Sequence, residues 1–163
     1  MIKVNEATLC EIDLIAELWS KLMVIHKMLD VNFFSKGDEL IDQFKIDLEN
    51  FVKSDLKKVY SAKFEDKLVG FVSAEFISFA SSNSIYNNHS YIIVDDIMID
   101  DNFQHMGIGK SLLLEVKDWG QKLNINYIET NVFSQNTKAY TFFKNQGFED
   151  LFVKLKLKTD INP

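Results

Sequence analysis

The sequence predicts a mixed α+β domain in which helices cover both faces of one sheet. Strand-like runs of β-branched and apolar residues come first in the chain and then alternate with segments of helical periodicity. The chain has 163 residues, of which 47% are hydrophobic, and its only proline is the last residue. This size is sufficient for one substantial core, and we therefore expect a single domain over residues 1–163.

In the first half of the chain, local signals mark where the elements begin and end. Thr8 and Glu11 have the spacing of a capping box, which predicts that a helix begins beside them. A short polar stretch at residues 65–67 predicts a hairpin between two strands. The elements predicted for this half are a strand over 2–6, a helix with an apolar stripe from Ile12 to Met23, a loop over 29–39, a helix over 40–51, and strands over 58–64 and 68–78.

The second half alternates strands and helices. Ile108, Leu112, Val116, Trp119 and Leu123 recur at helical spacing and form one apolar stripe. The elements predicted here are a polar loop over 80–90, a strand over 91–99, a helix over 108–123, a strand over 125–132, a helix that begins at Asn136, and a last strand over 148–157.

Residues 104–110, Gln-His-Met-Gly-Ile-Gly-Lys, join the strand over 91–99 to the following helix. The free N–H groups and the positive dipole end of a helix N-terminus favour a phosphate group, and glycine lets a ligand approach the backbone. Two familiar phosphate loops do not fit. A Walker loop needs glycine where Gln104 stands, and a dinucleotide fingerprint needs Gly or Ala where Leu112 stands.

A second motif begins at Asn136 and ends in Gly147 and Phe148, with Ala139 and an aromatic pair between them. Asn136 has the character of a helix cap, and Gly147 that of a left-handed helix stop. Together with Gln104-x-x-Gly107-x-Gly109, this Asn, Ala, aromatic, Gly-Phe pattern resembles the GNAT superfamily of N-acyltransferases. The resemblance extends over most of the chain in element order.

The resemblance implies a fold and a cosubstrate. The fold is a central, mostly antiparallel twisted sheet of six to seven strands with about four helices on both faces. The cosubstrate is acetyl-CoA, and no metal is implied. In the family, strand amides bind the pantetheine arm and polarise the carbonyl, and the amides of the glycine turn hold the diphosphate. The helix that begins at Asn136 packs beside the cofactor, and Asn136 would lie near the pantetheine arm. The matching positions are Ile97, Met98, Ile99, Gln104, His105, Met106, Gly107, Ile108, Gly109, Lys110, Asn131, Asn136 and Phe143.

The resemblance also points to catalytic groups. Asp95 and Asp96 stand where many small-molecule acetyltransferases carry an acidic pair, and either could act as the base. Adjacent strand residues face opposite sides, so only one can face the acceptor unless a bulge rotates them. The tyrosine that protonates the leaving sulfur in the family is replaced by Phe143. Water could then supply the proton, Tyr140 could replace the missing hydroxyl, or catalysis could have been lost.

The acceptor implied by the resemblance is a primary amine of a small molecule, such as a polyamine, an amino acid or an aminoglycoside-like compound. Phe33, Phe34 and Asp95 are the predicted acceptor-binding residues. Two alternatives stay open: acetylation of a protein N-terminus or lysine, and a non-catalytic acyl-CoA-binding module.

Charge and hydropathy argue against several other functions. The net charge of −6 argues against a nucleic-acid-binding surface, which needs clustered cations. All 18 basic residues are lysines, so bidentate arginine clamps on phosphate are absent. No run of eighteen apolar residues and no apolar leader occur, so we expect no membrane association and a cytoplasmic protein. The resemblance leaves a homodimer open.

Overall fold

A computed structural model of the chain describes residues 1–30, 40–79, 89–157 and 159. Within these ranges the chain forms five strands and four helices. In chain order they are β1 (Ile2–Glu6), α1 (Ile12–Leu29), α2 (Ile41–Val52), β2 (Lys57–Phe64), β3 (Lys67–Phe79), β4 (His89–Ile99), α3 (Ile108–Lys122), β5 (Ile128–Thr130) and α4 (Thr137–Asn145).

The five strands form one sheet in the order β1-β2-β3-β4-β5. The first three neighbouring pairs are antiparallel, and β4 and β5 are parallel. Glu65 and Asp66 connect β2 to β3, and both have positive φ angles, 48° and 67°. A two-residue loop with this geometry matches the right-handed twist of the strands it joins. The mixed, mostly antiparallel α+β fold is therefore confirmed.

Helices pack on both faces of the sheet because strand residues alternate between the faces. On the first face, Val72 and Ile92 belong to a core that α3 and α4 cover. On the second face, Phe71 and Met98 belong to a separate core that α1 and α2 cover. Both cores are built from side chains that are almost completely buried. None of the helices in the described ranges is long and apolar enough to cross a membrane.

Two strand predictions need correction. Residues 148–157 form no strand, and the fifth strand spans only Ile128–Thr130 instead of residues 125–132. In the described part of the chain the sheet therefore has five strands, fewer than the six to seven expected. An alternating apolar pattern gives strand propensity, but a strand also needs an edge to pair with, and that partner is not encoded locally.

Candidate active site

The strands β4 and β5 separate at the acidic pair. Their parallel pairing comprises three residue pairs and ends at Val94 and Thr130, where the Thr130 hydroxyl donates to the Val94 carbonyl at 3.1 Å. β4 continues from Asp95 to Ile99 without a strand beside it on the β5 side in the described ranges. The backbone of Ile97, Met98 and Ile99, which we predicted to bind the cofactor, therefore lies along an opening in the sheet. Asn131 directly follows β5 at the same opening and is exposed.

The opening leads into the glycine turn. A 3₁₀ turn over Asp101–Phe103 follows β4, and α3 begins at Ile108 after Gly107. The Ser111 N–H donates to the Gly107 carbonyl at 3.0 Å, which is the first hydrogen bond of the helix. The amides of Ile108, Gly109 and Lys110 have no acceptor among the residues that the structure describes. These N–H groups are therefore not used as donors within the described part of the chain, and they lie at the positive end of the helix dipole between the exposed residues Gly107 and Lys110.

The two glycines of the turn serve different purposes. Gly107 has a φ of +80°, and a Cβ there would meet no atom within 4 Å, so glycine is required by the backbone conformation. A Cβ on Gly109 would lie 2.9 Å from Cζ of Phe142 and 3.3 Å from Cδ1 of Ile99. Gly109 therefore allows α3 to pack closely on α4 and β4. We had predicted close ligand approach at both glycines, and the structure gives Gly109 a packing role.

Gln104 fixes the position of the turn. Its side-chain amide donates to the Ile99 carbonyl at 3.2 Å and to Asp101 Oδ1 at 2.7 Å, and its Oε1 accepts from Lys138 Nζ at 2.6 Å. These bonds connect the end of β4 to α4. They also bring the Lys138 ammonium group to the turn, where Lys110 was the only cation predicted from the sequence. His105 and Met106, by contrast, are exposed.

A β-bulge separates the surroundings of Asp95 and Asp96. Ser73 of β3 is opposite Asp96, while the next residue, Ala74, is opposite Val94, so Asp95 is the extra residue. The backbone N–H of Asp96 donates to the buried Ser73 hydroxyl at 3.2 Å, which replaces a bond of the regular ladder. The rotation that the sequence left open is therefore present. Ser73 was not singled out from the sequence, because the contact joins residues 23 positions apart.

The pKa values of both carboxyl groups are raised toward neutral pH. Burial raises the pKa of Asp95 to about 6, and the negative charges of Asp96 and Glu75 add to the effect while Lys57 opposes it. Burial also raises the pKa of Asp96 to about 6, and a hydrogen bond from Trp19 opposes the increase. The side chain of Asp95 is nevertheless exposed to solvent, whereas that of Asp96 is half-buried. Asp95 is thus the acid of the pair that a solute can contact.

Trp19 links the second core to the acidic pair. Its ring stacks on Phe44 of α2, with centroids 4.1 Å apart and planes within 9° of parallel. Its indole also favours the ionised form of the Asp96 carboxyl group. The sequence placed Trp19 on the apolar stripe of α1, but helical periodicity gives no indication of which polar group the indole contacts across the fold. Glu75 and Lys57 form an ion pair of 3.1 Å next to the acids and were also not predicted.

The second motif forms the helix α4 as predicted. Two of its aromatic residues, however, make contacts within the fold itself. Asn136 caps the helix, because its Oδ1 accepts from the Ala139 N–H at 3.1 Å. Phe143 is only 5% exposed and makes edge contacts with the rings of Phe142 and Phe148. The Tyr140 hydroxyl donates to the Asp150 carboxylate at 3.0 Å. The structure therefore gives no support to Tyr140 as the proton donor, and this role stays a prediction.

The acceptor side is only partly described. Phe33 and Phe34, which we predicted to bind the acceptor, lie outside the described residues. Asp95 is the one predicted acceptor-binding residue that the structure places, on the bulge beside the opening.

Comparisons with known proteins agree with this fold. A model of the acetyltransferase (GNAT) family matches residues 22–148. A comparison with curated protein sequences finds no significant match. Among solved structures, the tetramutant of the BH1408 protein from Bacillus halodurans aligns with a TM-score of 0.89 at 16% identity, covering 96% of this chain and 99% of that one.

Two aminoglycoside acetyltransferases have the same fold at lower similarity. The aminoglycoside N-acetyltransferase AAC(6')-Iy, in complex with CoA, aligns with a TM-score of 0.73 at 16% identity and covers 98% of this chain and 95% of that one. The enzyme meta-AAC0020 from an uncultured soil metagenomic sample, in complex with sisomicin, aligns with a TM-score of 0.67 at 17% identity and covers 98% and 97%.

Proposed function

The chain belongs to the GNAT family of acetyltransferases, and on this premise we propose that it transfers an acetyl group from acetyl-CoA to a primary amine of a small molecule. One observation carries the proposal: the opening between β4 and β5 leads to amides at the start of α3 that have no acceptor in the described ranges. A long ligand with an amide-containing arm and a diphosphate can use both features at once.

In the proposed complex, the cofactor lies along the exposed edge of β4. The pantetheine arm pairs with the backbone of Ile97 to Ile99, and the diphosphate lies against the amides of the α3 N-terminus. Lys110 and Lys138 supply positive charge in a chain that has no arginine. Since Oδ1 of Asn136 is engaged in the helix cap, its side-chain NH₂ group is the part that can donate to the cofactor.

The chemistry requires a base near the thioester carbonyl. We propose that Asp95, alone or through a water molecule, removes a proton from the ammonium group of the acceptor, and that Asp96 raises the pKa of Asp95 by its charge. The free amine then attacks the carbonyl carbon, and a β4 amide stabilises the oxyanion. The carbon–sulfur bond breaks and the thiolate leaves. With phenylalanine at position 143, water returns the proton to a sulfur whose ordinary pKa is about 8.5.

A small cationic acceptor fits the charges beside the opening. Asp95 and Glu75 carry carboxylates there, and Lys57 is the cation paired with Glu75. The aminoglycoside-acetyltransferase structures that share the fold are consistent with this class of acceptor but do not identify it for this chain. A peptide acceptor is the alternative within the same chemistry. A non-catalytic acyl-CoA-binding module is the alternative favoured by Phe143, which carries no acidic proton.

The test is steady-state release of free CoA from acetyl-CoA with a panel of amines. The panel contains polyamines, amino acids, aminoglycosides and short peptides with a free N-terminus or lysine. We expect turnover with at least one small amine. Turnover with peptides alone would show that the acceptor is a peptide and not a small amine. CoA binding without turnover for any amine in the panel would support the non-catalytic binding module.

A pair of glycine variants tests the cofactor site itself by calorimetric titration with CoA. Gly107 and Gly147 both have positive φ angles and open space at Cβ, so aspartate produces similar backbone strain at each. Gly107→Asp adds a negative charge at the proposed diphosphate site, and we expect at least a tenfold loss of affinity. Gly147→Asp is the matched control. Equal affinity of the two variants would show that the turn does not hold the diphosphate.

A further inference from the structure

A lysine side chain beside the proposed acceptor site carries the same charged group as the acceptor itself. Lys57 of β2 is opposite Glu75 of β3, and its Nζ forms an ion pair with Glu75 Oε2 at 3.1 Å. The same Nζ lies 4.3 Å from the centre of the Phe51 ring of α2. A carboxylate and the face of an aromatic ring both attract an alkylammonium ion. This corner of the site therefore binds a primary ammonium group, and the group that occupies it belongs to the protein.

The geometry of the sheet places this ion pair on the same face as the second core. In β2, Lys57 is two positions before Val59, which belongs to that core. In β3, Glu75 is four positions after Phe71 of the same core. Because strand residues alternate between the faces, both charged side chains lie on this face. Beyond the effect of burial, the charge of Glu75 raises the pKa of Asp95 and that of Lys57 lowers it. The ion pair therefore acts on the proposed base.

The positions of Glu75 and Asp95 match the spacing of a short diamine. Glu75 is opposite Ile93 in the register of β3 and β4, and Asp95 follows Ile93 by two residues. Two residues of a strand span about 7 Å. A chain of five methylene groups separates two ammonium groups by a similar distance. A diamine with one ammonium group at Asp95 would therefore bring its other ammonium group to Glu75, where Lys57 already lies.

We propose that Lys57 is a specificity-determining residue, which occupies the place of a second ammonium group and favours acceptors with a single positive charge. The inference rests on the proposed acetyl transfer to a small amine. The reacting ammonium group binds at Asp95, while the charge of Glu75 is balanced by the protein's own cation. A second ammonium group on the acceptor therefore meets a complete ion pair instead of a free carboxylate.

The strength of the ion pair determines the size of the effect. To bind at Glu75, a second ammonium group of the acceptor has to displace Lys57, and the chain keeps the lysine ammonium group at a high local concentration. The side chains of Lys57 and Glu75 are 32% and 30% exposed, and ion pairs that contact solvent are weak. We therefore expect Lys57 to change the preference between acceptors several-fold and not to exclude diamines completely.

The first test measures the binding of two amines that have the same length and differ by one charge, 1,5-diaminopentane and 5-aminopentan-1-ol. Binding is followed by NMR through the indole N–H signal of Trp19, which acts on the Asp96 carboxyl group, with Trp119 of the first core as the internal reference. We expect wild type to bind the two amines with affinities within about twofold of each other. Lys57→Met keeps a long unbranched side chain against Phe51 but removes the charge, and it should favour the diamine by about fivefold or more.

Two further variants separate the charge at this corner from the total charge. Lys58→Met is the matched control, because Lys58 is opposite Ala74 of the first core and pairs with Glu6 on the other face of the sheet. It should keep the wild-type ratio of the two affinities. Adding Glu75→Gln to Lys57→Met should abolish the gained preference for the diamine. An unchanged ratio in Lys57→Met, or an equal change in Lys58→Met, would overturn the proposal.

Steady-state kinetics with acetyl-CoA separates the role of Lys57 from acetyl transfer itself. In Lys57→Met, kcat/KM for the diamine relative to the aminoalcohol should rise by about fivefold or more, mainly through a lower KM. If both amines are acetylated and Lys57→Met keeps the wild-type ratio, the role of Lys57 is refuted while acetyl transfer stands. If neither amine binds to wild type or to any variant, the acceptor site at Asp95 is refuted, and the role of Lys57 with it.

Discussion

Asp95 and Asp96 have identical side chains on adjacent positions of β4, and the bulge gives them different surroundings. The backbone N–H of Asp96 donates to the Ser73 hydroxyl, and the Trp19 indole lowers the pKa of the Asp96 side chain against the effect of burial. Asp95 is the extra residue of the bulge and is open to solvent. In the proposed mechanism, Asp95 therefore contacts the acceptor and Asp96 acts by its charge and position.

The acidic limb of the pH–rate profile tests this assignment. The base must be ionised to accept a proton, so activity should fall as the pH falls through about 6, the pKa of both acids. Asp95→Asn should remove the limb and lower kcat by about 10²- to 10⁴-fold. Asp96→Asn should move the limb to lower pH, because it removes the neighbouring negative charge. A limb unchanged in both variants would exclude these residues from proton transfer.

Trp19→Phe gives a finer test at the same site. Phenylalanine can keep the stacking on Phe44, but it loses the indole donor that lowers the pKa of Asp96. The pKa of Asp96 should then rise, and the charge on Asp96 at a given pH should fall. We expect a small shift of the acidic limb with little loss of thermal stability, measured by pH–rate profiles and thermal unfolding. Loss of the acidic limb in Trp19→Phe, as expected for Asp95→Asn, would contradict separate roles for the two acids.

Through Asp96, the stability of the fold should depend on pH in the opposite direction from activity. Its folded pKa of about 6 lies above the ordinary 3.8, so the folded state binds more protons between these values. The unfolding free energy of wild type therefore decreases as pH rises through this window. Asp96→Asn should be more stable than wild type at pH 8, by at most about 3 kcal/mol, and the gain should vanish near pH 3. Thermal unfolding at both pH values measures the difference.

At the scale of elements, the cofactor turn depends on how closely α3 approaches α4. Gly109→Ala would place a methyl group 2.9 Å from the Phe142 ring, and we expect a loss of about 1–3 kcal/mol in the unfolding free energy. Gly120→Ala in the same helix meets Ile92 at 3.3 Å, and better helix propensity offsets this milder contact. Phe142→Leu should partly rescue Gly109→Ala. Equal losses at the two glycines would contradict the packing role.

The start of α1 depends on a charged cap that also ties the helix to the sheet. Glu11 accepts from the Thr8 N–H at 2.8 Å and the Ser61 hydroxyl at 2.9 Å, and it pairs with Lys63 at 3.0 Å. Burial opposes ionisation, but these bonds outweigh it and hold the pKa of Glu11 below 4.5. The stability that the ionised form contributes is therefore present above pH 4.5 and lost as the pH falls below it.

Chemical denaturation at several pH values tests this cap. Glu11→Gln should lower the unfolding free energy by about 1–3 kcal/mol at pH 7, and the difference should shrink below pH 4. Glu17→Gln is the control, since Glu17 lies on the exposed side of α1. If the loss of unfolding free energy in Glu11→Gln does not change with pH, the cap stabilises the helix through its hydrogen-bond geometry and not through its charge.

For the whole molecule, the features that could be predicted from the sequence are those set by residues close together in the chain. The Asn136 cap, the positive φ of Gly147 and the hairpin at Glu65 and Asp66 all depend on contacts within a few residues, and each was found. The bulge at Asp95 depends on Ser73 in another strand, and the wrongly predicted strand over 148–157 depends on an edge that local sequence does not specify. Long-range pairing is therefore where sequence reasoning failed.

The proposed cofactor position predicts how ligand binding changes the stability of the fold. The end of β4, the start of α3 and the start of α4 meet at the turn, where Gln104 and Lys138 make the described side-chain link between α4 and the turn. CoA bound there adds contacts to all three elements and binds only the folded state. At a concentration of 100 times its Kd, it should raise the unfolding free energy by about 2.7 kcal/mol, which corresponds to roughly 5–10 °C in Tm. Gly107→Asp should lose most of this increase while Gly147→Asp keeps it, and a full increase in Gly107→Asp would mean that CoA stabilises the fold from another site.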